Sequence, residues 1–71
     1  MKYALVVVCD NETFTSKNQY RTGARSMKDI ALEVAHDLAD GGASVFESLD
    51  GRLLVIPYAH IKYIEVHKAY D

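Results

Sequence analysis

The sequence contains a single cysteine, Cys9, and no tryptophan among its 71 residues. One cysteine excludes a disulfide within the chain, and it also excludes a zinc site built from four thiolates. The length fits one domain, residues 1–71. A domain of this size buries about 60–65% of the surface that its unfolded chain exposes, so we expect marginal stability. Since no disulfide can compensate, association with another subunit is the expected supplement.

Long hydrophobic runs are also missing. The apolar run YALVVVC at positions 3–9 has seven residues, whereas a membrane-spanning helix needs about 20. A secretory signal would need a longer apolar region that is followed by small residues. We therefore predict no membrane segment and a cytoplasmic location. An unpaired cysteine agrees with a reducing compartment.

No catalytic or metal-binding motif is present. The sequence has no G-x-S-x-G nucleophile motif, no glycine-rich phosphate loop and no H-x-x-x-H or C-x-x-C pair. Cys9 lies in an apolar segment, where cysteine is usually an inert small hydrophobic residue. Cys9, His36 and His60 would bind a metal only if the fold brought them together. We predict a protein that is not an enzyme, with no catalytic residue, no metal and no cofactor.

The first half of the chain predicts two strands and a loop. Residues 3–9 are continuously apolar and rich in valine, which is typical of a strand that is buried on both faces. Turn residues follow at 10–12, and TFTS at 13–16 predicts a second, short strand. Residues 17–25 are polar and contain a glycine, so they predict a loop.

An amphipathic helix is predicted after this loop. Ser26, followed three residues later by Asp29, resembles a capping box, and the glycines at 41–42 end the helix. Asp29, Glu33, Asp37 and Asp40 lie three or four residues apart and form an acidic exposed stripe. The apolar positions recur at helical spacing: they are Met27, Ile30, Ala31, Val34 and Leu38, with Ala35 beside them.

The last third of the chain predicts a meander of three strands. Asp50-Gly51 is the dipeptide favoured in a type I′ hairpin turn, and Pro57 stops the second strand. In the third strand, 61–68, we predict Ile61 on the same face as Tyr63. The resulting fold class is α+β, with one amphipathic helix packed on a small, mostly antiparallel sheet of 3–5 strands.

The tyrosines of the strands suggest an interface. Five tyrosines without a tryptophan suit a surface that is partly packed and partly hydrated, and the mixed polarity of residues 61–68 fits an edge or interface strand. We place Tyr3, Tyr58, Tyr63 and Tyr70 on the outer face of the sheet. The predicted interface residues are Tyr58, Tyr63, Ile64 and Val66. The predicted partner is a second copy of the chain, in a homodimer or higher oligomer; another protein is a further candidate.

A basic segment supports an alternative. Between Glu12 and Asp29 the chain has no acidic residue, although its net charge is −2. Helix N-termini attract phosphate, and an exposed tyrosine can stack on a base. The residues predicted for binding a phosphate or nucleic acid are Lys17, Tyr20, Arg21, Arg25 and Lys28. The acidic exposed face of the helix argues against a recognition helix, so nucleic acid is not favoured.

Three functions are consistent with these patterns. The first is a small, non-catalytic homo-oligomeric interaction or regulatory module. The second is a binder of nucleic acid or a phosphorylated ligand through the basic loop 17–28. This hypothesis fails if the arginines of the loop pack against Glu33 or Asp37. The third is an enzyme with a site between subunits, lined by His60, His67 or Glu65.

Overall fold

A computed structural model describes residues 1–70 of the chain. Its elements are β1 (Lys2–Cys9), β2 (Thr13–Thr15), β3 (Gln19–Tyr20), α1 (Met27–Gly41), β4 (Ala43–Glu47), β5 (Leu53–Pro57), a single 3₁₀ turn (Tyr58–His60) and β6 (Ile61–Lys68). The strands form two antiparallel sheets, one of four strands and one of two, with the helix packed against them. The predicted α+β fold is therefore confirmed. No helix within residues 1–70 has the length and apolar character of a membrane span.

Strand β1 is the centre of the four-stranded sheet. It pairs with β2 and β3 along one edge and with β6 along the other. The prediction that this strand is buried on both faces is wrong, because Tyr3, Leu5 and Val7 are buried while the residues between them on the opposite face are only half-buried. The segment 17–25, predicted as a loop, contributes the two-residue strand β3, which pairs Gln19 with Tyr3 and Tyr20 with Lys2.

The predicted three-strand meander is wrong. Strands β4 and β5 pair with each other as predicted, but β6 pairs with β1 instead of β5. Both β1 and β6 are eight residues long, whereas β5 has five. Pairing β6 with β1 therefore satisfies more backbone groups, and it gives the central strand its second neighbour.

The hairpin turn between β4 and β5 differs from the predicted type. A type I′ turn needs positive φ at two residues, but Gly51 has φ +86° and no other residue of this turn is positive. Ser48 N–H donates to the Arg52 carbonyl at 2.8 Å, and Gly51 N–H donates to the Ser48 carbonyl at 3.0 Å. The loop thus has three residues, with the glycine as a bulge.

The core lies between the inner face of β1 and the elements that cover it. Its buried residues are Tyr3, Leu5, Val7, Ile30, Phe46 and Ile56. The prediction that Tyr3 lies on the outer sheet face is wrong, since it is only 2% exposed. Alternation along β1 places Tyr3 on the face of Leu5 and Val7. Its hydroxyl is satisfied there, because it donates to Gln19 Oε1 at 2.9 Å.

The helix has the predicted ends. Ser26 Oγ accepts a hydrogen bond from Asp29 N–H at 3.2 Å, and Gly42 closes the helix with φ +68°. In a capping box the Asp29 carboxylate would accept a hydrogen bond from the N–H of Ser26. It accepts instead from the N–H of Arg25, one residue earlier, at 2.9 Å. Ile30 is the one fully buried residue of α1, so the helix is anchored to the core at few points.

A bulge in β6 changes which residues share a face. Val8 pairs with Tyr63 and Cys9 pairs with Ile61, so Lys62 is the extra residue. The predicted placement of Ile61 on the face of Tyr63 is therefore wrong. Ile61 instead joins Ile64 and Val66 against the core.

Candidate functional site

An apolar groove lies between α1 and β6. It has a volume of about 270 Å³. The helix contributes Ala31, Val34, Ala35 and Leu38, and the strand side contributes Tyr58, Ile61, Lys62, Tyr63, Ile64 and Val66. All four residues predicted for an interface, Tyr58, Tyr63, Ile64 and Val66, thus line a single groove.

Small helical side chains keep this groove open. Ala31 and Ala35 face it and are exposed. Opposite them, Ile64 and Val66 are only half-buried, although they also pack against the core. Methyl groups are too short to fill the space between a helix and a sheet. The apolar side chains of β6 therefore remain partly in contact with water.

The outer edge of β6 borders the groove. Within residues 1–70, β6 has one neighbouring strand, β1. Ala69 N–H donates to the Lys2 carbonyl at 3.0 Å, and the hydrogen-bonding direction alternates along an antiparallel strand. The backbone groups of Ile64, Val66 and Lys68 therefore point away from β1. Such an edge is a template for pairing with another strand.

The opposite face of β6 is polar. Tyr63, Glu65 and His67 pair with Val8, Val6 and Ala4, whose side chains point away from the helix. His67 Nε2 lies 2.9 Å from Glu65 Oε1, and both side chains are about half exposed. Of the residues named for an enzyme site between subunits, Glu65 and His67 are thus adjacent.

The basic segment contains a guanidinium that is bound within the protein. Arg21 donates to Glu33 Oε2 at 2.8 Å and to Asp37 Oδ2, while its Nε donates to the Tyr3 hydroxyl at 3.1 Å. The hydrogen bond with Asp37, and then that with Tyr3, raise the pKa of Arg21 above its ordinary value. These contacts are the arrangement that counts against the phosphate hypothesis.

The other residues predicted for phosphate binding are more exposed. Lys17 Nζ lies 3.2 Å from Glu47 Oε1, so this cation also has a carboxylate partner. Tyr20 is 69% exposed on β3, and Arg25 and Lys28 are exposed beside the start of α1. A carboxylate, Asp29, already occupies the first turn of the helix. The structure therefore leaves two of the four cations, Arg25 and Lys28, available for an anionic ligand.

The cysteine and histidines do not form a metal-binding cluster in the described part of the chain. Residues 1–70 contain no group of three or more His, Cys, Asp or Glu side chains that could hold a metal ion. Cys9 and His60 line a shallow surface cleft. His36 instead pairs with Asp40 on the helix, with Nδ1 and Oδ2 3.1 Å apart.

Two parts of the surface were missed by the sequence analysis. Ala31 and Leu38 were assigned to the packed side of the helix, but they line the open groove. In the hairpin, Val45, Leu53 and Val55 are more than half exposed on the face opposite Phe46 and Ile56. The alternation of side chains along β4 and β5 was the available signal for this second surface.

The comparisons with known proteins do not add a functional assignment. No protein-family model matches the chain, and neither curated proteins nor solved structures give a match. The function is therefore argued from the surface chemistry of the chain itself.

Proposed function

We propose that this protein is a non-catalytic, homo-oligomeric interaction module that associates through the groove and the outer edge of β6. The observation that carries the proposal is the position of an apolar groove directly beside an eight-residue strand, one edge of which pairs with no other strand of residues 1–70. An edge alone offers hydrogen bonds, and a groove alone offers apolar contact. A second copy that engages both gains the two kinds of stabilisation together.

Burial in the small core explains why association would benefit this chain. Within residues 1–70, six hydrophobic residues are buried, and one of them belongs to the helix. The side chain of Tyr58, at the groove, is more than half exposed. Covering it would remove apolar surface from water, which contributes about 25 cal/mol for each Å².

The experiment that tests the proposal measures the mass of the protein in solution. Sedimentation equilibrium of the unmodified chain should give a mass above that of the 7.9 kDa monomer, with a dependence on concentration. Ile64→Asp should raise the dissociation constant by about tenfold or more, because a charge in an apolar contact costs at least about 1.4 kcal/mol. A strictly monomeric mass at all concentrations would overturn the proposal.

Two further variants separate association from folding. Ile64 also packs against the core, so Ile64→Asp risks unfolding the chain. Tyr58→Ser avoids this risk, because Tyr58 lies in the groove and is 63% exposed. His60→Ala is the matched control, since His60 is exposed in the same 3₁₀ turn but does not line the groove. Tyr58→Ser should weaken association while His60→Ala leaves it unchanged, with circular dichroism reporting the fold of both.

The phosphate-binding alternative stays a prediction without structural support from Arg21. Its central guanidinium is bound to Glu33 and Asp37, and Lys17 has a carboxylate partner. Self-association is the proposal we favour, because Tyr58, Ile64 and Val66 line one groove beside the outer edge of β6.

A further inference from the structure

We infer that two copies pair their β6 strands antiparallel about a two-fold axis at Val66, which sets Glu65 of each copy opposite His67 of the other. This inference rests on the proposed self-association and specifies its geometry. The occupant of the groove edge is thus a second copy of the same strand. Three features of β6 limit the register: the direction of its free backbone groups, the bulge at Lys62 and the charges along the strand.

The symmetry of a strand pair limits the choice of register. A two-fold axis perpendicular to the sheet relates identical surfaces, and residues directly opposite each other in an antiparallel pair lie on the same face. An axis between two residues would set each residue opposite its neighbour in sequence, and neighbouring side chains point to opposite faces of the sheet. The axis must therefore pass through a residue that lies opposite its own copy. Because the bulge at Lys62 interrupts the regular strand, the central candidates are Ile64, Glu65 and Val66.

An axis at Glu65 places like charges together. Each Glu65 would then lie opposite its own copy, and Lys62 would lie opposite Lys68. The backbone groups of Glu65 point toward β1, so the two carboxylates would form a non-hydrogen-bonded pair, which brings side chains closest. Like charges directly opposite each other are destabilising, so this register is rejected.

An axis at Ile64 pairs charged residues with uncharged ones. It sets Glu65 opposite Tyr63 and Lys62 opposite Val66, so neither charge gains a partner. The bulge at Lys62 would also lie inside the new ladder at both of its ends. A bulge disrupts regular pairing locally, so the continuous part of this ladder would be short.

An axis at Val66 avoids both problems. The ladder then runs from Ile64 to Lys68 without reaching the bulge, and it uses the outward groups of Ile64, Val66 and Lys68. Glu65 lies opposite His67 of the second copy, and the symmetry repeats this pair. On the inner face the two Val66 side chains meet beside the grooves, and the Lys68 methylenes cover Ile64.

The Glu65–His67 pairs make this interface sensitive to pH. In the single chain His67 faces its own Glu65 at 2.9 Å, Ala4 lies opposite it on β1, and Lys2 is the charged residue diagonal to it on the same face. Pairing adds the Glu65 carboxylate of the second copy. Histidine changes its charge between about pH 5 and 8, and a charged imidazole has two N–H donors. A protonated His67 can therefore bind both carboxylates, so association should be stronger at pH 6 than at pH 8.

The register is tested by cysteine cross-linking in a Cys9→Ser background, in which the chain has no other cysteine. Three variants, Ile64→Cys, Glu65→Cys and Val66→Cys, are oxidised and analysed on non-reducing gels. Each axis predicts one self-cross-link, because a disulfide needs Cα atoms about 4.4–6.8 Å apart. With the axis at Val66, the introduced thiols of two Val66→Cys chains are opposite each other, whereas the Cα atoms at position 64 are separated by about 13 Å along the strand. We expect a cross-linked dimer from Val66→Cys alone.

The outcomes distinguish this inference from the proposed function. Cross-linking at position 64 or 65 instead of 66 would overturn the Val66 axis and leave self-association in place. A dimeric mass in sedimentation without a cross-link at any of the three positions would also overturn the β6 pairing. A monomeric mass for the unmodified chain would overturn the proposed function together with this inference.

A charge exchange tests the Glu65–His67 pairs independently. At pH 6, Glu65→Lys and His67→Glu should each weaken association by about 2- to 30-fold, the range expected for two cross-strand pairs. The double variant restores opposite charges across the axis, so it should regain most of the affinity. In His67→Lys the positive charge is permanent, and the difference between pH 6 and pH 8 should disappear. Additive losses in the double variant, or an unchanged pH difference in His67→Lys, would overturn the pairing.

Discussion

The two flanks of helix α1 are held in different ways. On the flank that faces β3, which we call the closed flank, Glu33 and Asp37 bind the guanidinium of Arg21, and Arg21 also contacts the Tyr3 hydroxyl. On the flank that faces β6, the open flank, Ala31 and Ala35 border an apolar groove. Polar contacts thus complete one side of the helix, and the other side lacks the side-chain volume to complete its packing.

Under the proposed self-association, the two flanks would contribute to different properties of the protein. The closed flank joins β1, β3 and α1 through hydrogen bonds that need no further partner. The open flank keeps apolar surface and strand edge exposed, and such surface is stabilised only when something covers it. Variants on each flank should therefore affect different measurements: the free energy of unfolding for the closed flank, and the dissociation constant for the open flank.

The largest effect on the free energy of unfolding is expected at the point that both flanks share. Ile30 is fully buried on the side of α1 that faces the core. Ile30→Ala should therefore lower the free energy of unfolding by about 2–5 kcal/mol. Leu32→Ala is the control, because Leu32 is 61% exposed and should change it by about 0.5 kcal/mol or less. Urea denaturation measures both. Equal losses would mean that the helix does not depend on the core for its anchorage.

Removing the Arg21 contacts of the closed flank should have the next largest effect on the free energy of unfolding. Arg21→Ala leaves the buried Tyr3 hydroxyl with one partner fewer and separates the ion pairs, so we expect a loss of about 1–2 kcal/mol. Arg21→Lys should recover only part of it, because an ammonium cannot form the same forked contacts. Arg25→Ala, an exposed arginine of the same segment, serves as the control. A loss at Arg25 as large as that at Arg21 would remove the distinction between them.

Filling the open flank should separate stability from association. Ala35→Leu adds apolar volume in the groove, so we expect the unfolding free energy to rise by about 0.5–1 kcal/mol while self-association weakens. The comparison variant is His36→Leu, which adds an apolar side chain at an exposed position that does not line the groove. Thermal unfolding and sedimentation of both variants give the answer. Unchanged association of Ala35→Leu would show that the groove is not part of the interface.

A nucleic-acid titration tests the basic segment next to the closed flank. Each neutralised phosphate of duplex DNA contributes a slope of about −0.9 to the plot of log affinity against log salt concentration. Because Arg21 and Lys17 are paired with carboxylates, we expect no salt-dependent binding of labelled single- or double-stranded oligonucleotides by fluorescence anisotropy. Binding with the slope of three or four phosphates, lost on reversing Arg21 and Arg25, would instead favour the phosphate hypothesis.

The smallest effect is expected in the hairpin turn, away from both flanks. The Ser48 hydroxyl, and then Arg52, bind the Asp50 carboxylate and lower its pKa. A carboxyl whose pKa is lowered by folding stabilises the folded state above its unfolded pKa of about 3.9. That contribution is lost as the pH falls through the lower folded value. Asp50→Asn should therefore be slightly less stable than the unmodified chain at pH 7, and its stability should depend less on pH in the acid range. Thermal unfolding from neutral to low pH measures both.

Local features of the fold were predictable because neighbouring residues determine them. Ser26 and the glycine at 42 define the ends of α1 through hydrogen bonds within a few residues. The valine-rich segment indicated a buried strand on its own. Strand partners were not predictable in this way, because β1 and β6 are separated by some fifty residues of sequence and compete with nearer strands. The meander was therefore assigned wrongly, although both strands were found.

The strand side of the groove was predictable to a greater extent than its helical side. The mixed polarity of 61–68 indicated an edge strand, and β6 does lie at an edge. Helical periodicity assigned Ala31 and Ala35 to the apolar side of the helix. It could not show that the packing between the helix and the sheet stays open at these two residues. Arg21 was assigned to a basic loop, since its charge was visible and its partners on α1 were not.

The sequence by itself determined the helix and its caps, five of the six strands, and the mixed apolar and charged character of residues 61–68. These properties depend on composition and on contacts between close neighbours, which a linear pattern records. Only the tertiary structure decided that β6 pairs with β1, that Tyr3 is buried, and that Arg21 binds the helix while the other flank stays open. Each of these depends on which distant segments meet, and that is set by the balance of packing and backbone pairing over the whole chain.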